Sequence, residues 1–187
     1  MTTNQREVQS LEAFPTRQGT LGKERHMATY PLVFGFHDVV GGSGFWAEVR
    51  IDGRAIMVEE DDGTWFYGVE PGGLAGHGAT AQEAHEDFRA GYRSVLADIV
   101  EEAEDFRAFR ARVTDFLSTV NRPNEAEWEA NLVRAGELKL DWLPVRRAGA
   151  PGRIEERIRV EELQDPQGVI NDPDISSTTQ SLAALAA

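Results

Sequence analysis

Residues 54–70 read RAIMVEEDDGTWFYGVE. Two runs of apolar and β-forming residues flank Asp61-Asp62-Gly63, a tight-turn signal in which short acidic side chains precede a permissive glycine. The stretch predicts a β-hairpin with strands at 54–60 and 64–70. Upstream, GFWAEVRI alternates Phe45, Ala47, Val49 and Ile51, the period of a strand with one buried face. Asp52-Gly53 is a two-residue hairpin signal that joins this run to the next. Before it, YPLVFGFHDV (30–39) is a further β-rich run, ended by the turn candidate VVGGSG (39–44). Together these segments predict an antiparallel meander.

Downstream, VEPGGLAGHGATAQEA (69–84) crowds four glycines and a proline ahead of a helix start. Thr80 at N-cap with Glu83 three residues on forms a capping-box pattern. Ala84, Phe88, Tyr92, Val95, Ile99 and Ala103 then recur at three- and four-residue spacing, a stripe that fits against the sheet. Phe106, Phe109, Val113, Phe116, Leu117 and Val120 continue the rhythm, and a break is expected at the acidic run 101–105. Asn124 is the expected cap of a further helix, EAEWEANLVRAG (125–136). ELKLDWL (137–143) reads as a strand, and RIEERIRVEEL (153–163) as a strand or short helix. The fold class is therefore α+β: a small antiparallel meander sheet packed on an amphipathic helix, then a helical extension and a short C-terminal strand region. The expected divisions are a mobile arm at 1–28, an α+β domain at 29–104, a helical extension at 105–148, and a linker with an acidic polar tail at 149–187.

The chain of 187 residues has no cysteine, which excludes disulfides and thiolate chemistry and fits a reducing cytoplasm. No run approaches the ~20 apolar residues of a membrane helix, and the N-terminus has no secretory apolar core. The net charge is −13, and residues 29–104, with fifteen acidic and four basic residues, hold −11 of it. Phosphate binding rests on Lys and Arg, so this segment argues against nucleic acid and for a basic partner.

The glycine-rich loop is not a phosphate cradle. Gly73, Gly76 and Gly78 lack dinucleotide spacing, and no lysine lies between Lys23 and Lys139 to complete a P-loop. His77 and His85 are too far apart for a helical metal pair, so no metal or cofactor is expected. Glu59, Glu60, Asp61 and Asp62 are contiguous at a hairpin tip, whereas catalytic carboxylates converge from separate elements; no catalytic residue is assigned. A residual metal-dependent nuclease, using Asp38 or Glu48, is the last-ranked reading. Trp65 and Tyr67 fall on one face of their strand and Phe66 on the other, so both faces of the sheet carry large apolar groups. One face packs on the helix. The other needs cover from residues 105–148 or from another chain, which makes a stand-alone oligomeric interaction module the second reading.

The segment IMVEEDDGTWFYGVEPGGLAGHGATAQEAHEDFRAGYRSVL resembles the HicB-like antitoxin domain. The likeness is carried by Asp62-Gly63, the strand from Trp65 to Val69, Pro71 with Gly73, Gly78 with Thr80, and Glu83-Ala84. It implies a degenerate ribonuclease-H-like fold without nuclease activity, which binds and masks a small basic RNA-cleaving toxin of the HicA type. The contact residues expected on that reading are Glu59, Glu60, Asp61, Asp62, Trp65, Tyr67 and His77. Residues 105–187 show neither the helix-turn-helix nor the ribbon-helix-helix pattern common in such antitoxins, and Gly72-Gly73-Leu74 replaces their usual Pro-Gly-Cys, so operator-DNA binding is not expected.

Overall fold

The computed structural model describes residues 28–134 and 157–164, and its sheet is organised around one long strand. β1 (Thr29–Gly42) and β2 (Phe45–Glu60) pair antiparallel in unbroken register from Thr29↔Val58 to Gly42↔Phe45. β3 (Gly63–Glu70) pairs with the C-terminal part of β2, and β4 (Ala75–Gly78) pairs with β3. β5 (Ile158–Glu162) pairs with β2 at Ala47–Ile51. β3 and β5 thus share one edge of β2, and the β2–β3 register shifts between Arg54 and Ala55, where the shared edge divides. Helices α1 (Ala81–Glu102), α2 (Phe106–Ser118) and α3 (Arg122–Ala130) follow β4, with a 3-10 turn at Leu132–Arg134. This is the α+β architecture of an antiparallel sheet on an amphipathic helix that the patterning predicts. The expected strand at 137–143 lies outside the described residues, as do the arm up to residue 27 and the tail beyond residue 164.

Three local expectations are corrected. Asp52-Gly53 is not a turn: β2 runs straight through it, because the inward row Phe45, Ala47, Val49, Ile51 continues with Gly53, Ala55 and Met57. Gly53 serves close approach. A Cβ there would meet the Phe34 ring at 2.3 Å and the Glu70 carbonyl oxygen at 2.8 Å. Gly41 and Gly42 likewise belong to β1, where the Trp46 and Phe45 rings lie across them. Aromatic rings laid over cross-strand glycines restore the packing that glycine lacks. Second, the loop after β3 contains a strand, β4, that the glycines concealed; Gly76 and Gly78 let it run against the backbone of α1. Third, Asn121 rather than Asn124 caps α3, its side chain accepting from the Asn124 amide at 3.2 Å.

The helix starts are otherwise where residue chemistry puts them. Thr80 and Glu83 form the full capping box. Asp105 caps α2 by accepting from the Ala108 amide at 2.7 Å, which breaks the long apolar rhythm at the expected place. Ala84, Phe88, Tyr92 and Leu96, four residues apart, are buried against the sheet. Phe34, Phe36, Phe88 and Tyr92 interlock there, with Phe34 edge-on to Phe88 at 5.3 Å and Phe36 at 4.9 Å from Tyr92; such pairs each add roughly 0.5–1.5 kcal/mol beyond their burial. Phe109, Val113 and Leu117 of α2 and Val160 of β5 join the same core. A smaller cluster on the opposite face sets Trp128 of α3 on Ile56, Val58 and Val69. The Trp128 indole donates to the Leu32 carbonyl at 3.1 Å. α3 therefore covers part of the second face.

The reading of Gly53 is testable by equilibrium urea unfolding. Gly53→Ala should lower stability by about 1–3 kcal/mol, the cost of overpacking a filled site. Gly73→Ala, where nothing lies within 4 Å of an added Cβ, should be neutral or gain up to ~1 kcal/mol from a stiffer unfolded chain.

Candidate partner-binding surface

The β2–β3 hairpin tip and β4 bring most of the expected contact residues to one end of the face opposite α1. Gly63 closes the tip with φ +143°, a conformation that favours glycine. Glu59, Asp61 and Asp62 are exposed there and Glu60 is half-exposed. Two residues on, Trp65 and Tyr67 project from alternate positions of β3 onto this face, while Phe66 between them is buried against Phe88. The Trp65 and Tyr67 rings are parallel, 4° apart in plane with centroids 5.6 Å apart. His77 is the direct cross-strand partner of Trp65, and its ring lies 4.3 Å from the indole. The three rings make one partly exposed row: Tyr67, Trp65, His77.

Asp62 ties the tip to the row. The Trp65 indole donates to its Oδ1 at 3.4 Å, and His77 Nε2 lies 3.3 Å from its backbone oxygen. The His77 amide donates to the Asp87 carboxylate on α1 at 3.0 Å, which holds β4 against the helix. Tyr67 also packs on the Trp128 cluster, so the row continues the apolar patch covered by α3. Glu59 and Glu60 stand at the end of β2, opposite Thr64 and Gly63, beside the row rather than in it.

The carboxylates of the nuclease reading are placed apart. Asp38 lies on the α1 face, fully buried, with Arg89 Nη2 at 2.7 Å and Arg93 Nε at 3.6 Å. Beneath the helix, burial and the Asp38 charge push the Tyr92 hydroxyl well above its ordinary range. Glu48 points to the opposite face, where it meets His37 at 2.6 Å and Arg50. One ion cannot bridge two carboxylates on opposite sides of a sheet. The two histidines weighed as a metal pair are separated in the same way: His77 is on the outer row, and His85 sits on α1 near Phe36 and Phe66, its pKa lowered by burial and by Arg89. Among the described residues no group of three His, Asp or Glu side chains forms a metal site, and no helix is long and apolar enough to cross a membrane.

Comparison with protein-family models, with curated proteins and with solved structures gives no match. The likeness to the HicB-like domain therefore stands on the residues quoted for it.

Sequence reasoning passed over a buried ionic junction. Glu70, at the end of β3, accepts from Arg54 at 3.1 Å and from both terminal nitrogens of Arg157 at 2.8 and 3.1 Å; Arg54 also reaches Glu125 of α3 at 2.9 Å. These residues lie as far apart as 54 and 157 in the chain, so no local pattern announces them. The Asp38–Arg89 pair left one trace: an arginine between Phe88 and Tyr92, at the border of an otherwise apolar stripe.

Arg89→Met removes a partner from a carboxylate that has no access to water. It should cost about 3 kcal/mol, the lower end of the range for a broken buried pair because Arg93 remains. Asp38→Asn in the same chain should restore part of the loss, measurable as the urea midpoints of the single and double variants.

Proposed function

We propose that this chain is a binding protein of the HicB-like antitoxin type, which neutralises a small basic RNA-cleaving toxin by covering its RNA-binding surface. The observation that carries this reading is the row of Tyr67, Trp65 and His77 beside an acidic hairpin tip. Partly exposed aromatics supply contact area that is rigid and costs little side-chain entropy on binding. The carboxylates beside them favour a positively charged partner and speed its approach. A surface evolved to grip RNA is basic for the same reason that this one is acidic. A chain without cysteine suits the reducing cytoplasm in which such a toxin acts.

The test is co-expression with the product of the adjacent reading frame and with HicA-type toxins. The expected result is restored growth of the toxin-bearing host and a complex that survives purification. Neutralising the tip (Glu59→Gln, Glu60→Gln, Asp61→Asn) should slow association and flatten its salt dependence. Trp65→Ala should act mainly on dissociation, since loss of packed contact area shows in the off-rate. No complex with that product or with any HicA-type toxin would rule the reading out.

A further inference from the structure

The Leu163 amide donates to the Trp46 carbonyl at 2.8 Å, which sets the hydrogen-bonding phase of β5 against β2. In an antiparallel ladder that phase alternates from residue to residue. Arg159 and Glu161 therefore turn their backbone groups toward β2, and Ile158, Val160 and Glu162 turn theirs toward the opposite edge. Along that edge lies an open groove of about 360 Å³, lined by every residue of β5 and by Phe106 and Arg110 of α2. A strand edge with room beside it is a template for a further strand.

The charges of β5 are set like against like within the chain. Arg159 stands opposite Arg50 of β2, and Glu161 opposite Glu48. Like charges directly opposite across a ladder are unfavourable. Relief comes along each strand, Arg159 meeting Glu161 at 2.7 Å and Arg50 meeting Glu48. The outer face thus ends, at exposed Arg159 and Glu161, in one acidic row and one basic row. A second copy of β5, antiparallel on the groove edge with Val160 facing Val160, sets Ile158 against Glu162 and Arg159 against Glu161. Ile158, Val160 and Glu162 are the residues whose backbone groups face the groove, so each of these facing pairs exchanges both ladder bonds. The acidic row of one copy then runs into the basic row of the other. Shifting the register one step either way sets Glu161 on Glu161 or Arg159 on Arg159, which the same rule disfavours.

We propose that two copies of this chain associate through β5, antiparallel about a two-fold axis at Val160, so that their sheets become continuous. Such an interface is isologous, each copy giving and receiving the same contacts. It lies on the half of β2 away from the hairpin tip. It makes no use of the Tyr67–Trp65–His77 row and does not rest on the antitoxin reading.

The experiment is sedimentation velocity of the full-length protein from low to high micromolar concentration. The mass should rise from one chain to two. Arg159→Glu and Glu161→Arg should each raise the dimer dissociation constant about tenfold or more, because each turns both opposite-charge pairs across the axis into like-charge pairs. On the β2 side each change does the reverse and relieves one like-charge pair, so a weakened fold does not account for the loss. An equimolar mixture of the two variants should regain the two-chain species, since each supplies the charge that the other lacks. The double variant, with the charges exchanged, should regain it alone. A one-chain mass for the unaltered protein at every concentration would overturn the proposal. So would a dimer indifferent to both changes, or a mixture that associates no better than its components.

Discussion

Glu70 is the point at which the parts of this fold are fastened together. Its side chain is 3% exposed, and it takes one arginine from β2 and one from the residue before β5. Arg54 carries the connection on to Glu125 of α3, whose carboxyl is held below its usual range by hydrogen bonds from Arg54 and Arg122. Taking these charges out of water is costly, and the cost is offset only when every partner is in place. The junction is thus complete or it is a liability. Its completion fixes the end of β3, the position of α3 and the entry of β5 at once. With α3 fixed, Trp128 covers Ile56, Val58 and Val69, while on the same face Trp65 stays half-buried and His77 exposed.

The junction sits where it does because β2 is longer than any one partner on that side. β1 follows β2 from Phe45 to Val58, but β3 takes only Arg54–Glu60 and β5 takes Ala47–Ile51. A long two-stranded ribbon twists strongly, and large side chains at every paired position would crowd it. The cross-strand pairs Phe34↔Gly53, Gly41↔Trp46 and Gly42↔Phe45 set one ring against one glycine each. Ring and glycine together take the place of two large side chains, and the β1–β2 register runs without a bulge.

Those same glycines are why part of the fold was hard to read from sequence. The strand-forming runs, the Asp61-Asp62-Gly63 turn, the Thr80–Glu83 box and the break before Asp105 depend on residues within a few positions of each other, and each is where local chemistry puts it. Asp52-Gly53 and Gly41-Gly42 carry the same local signal as a turn, but their meaning is set by Phe34, Trp46 and Phe45 on the neighbouring strand. Gly76 concealed β4 in the same way, because what it accommodates is the backbone of α1. At the candidate surface, alternation along β3 was enough to place Trp65 and Tyr67 on one face. The contact of His77 with Trp65 required knowing that β4 exists. The ion pairs of Asp38 and Glu70 were out of reach, since their partners are separated by 51 residues for Arg89 and 87 for Arg157.

The charge distribution acquires a physical meaning from these pairings. Residues 29–104 hold only four basic residues, and the fold draws three of them, Arg54, Arg89 and Arg93, against carboxylates in or at the edge of its interior. The fourth, Arg50, lies on Glu48 at the far end of β2 from the hairpin tip. The interior thereby consumes the cations, and the acidic excess of the segment is left to the surface. Two ranges of action follow. Beyond about one Debye length, ~8–10 Å at ordinary salt, an approaching protein responds weakly to the summed charge. Inside it, the carboxylates of Glu59–Asp62 act directly on whatever touches Trp65.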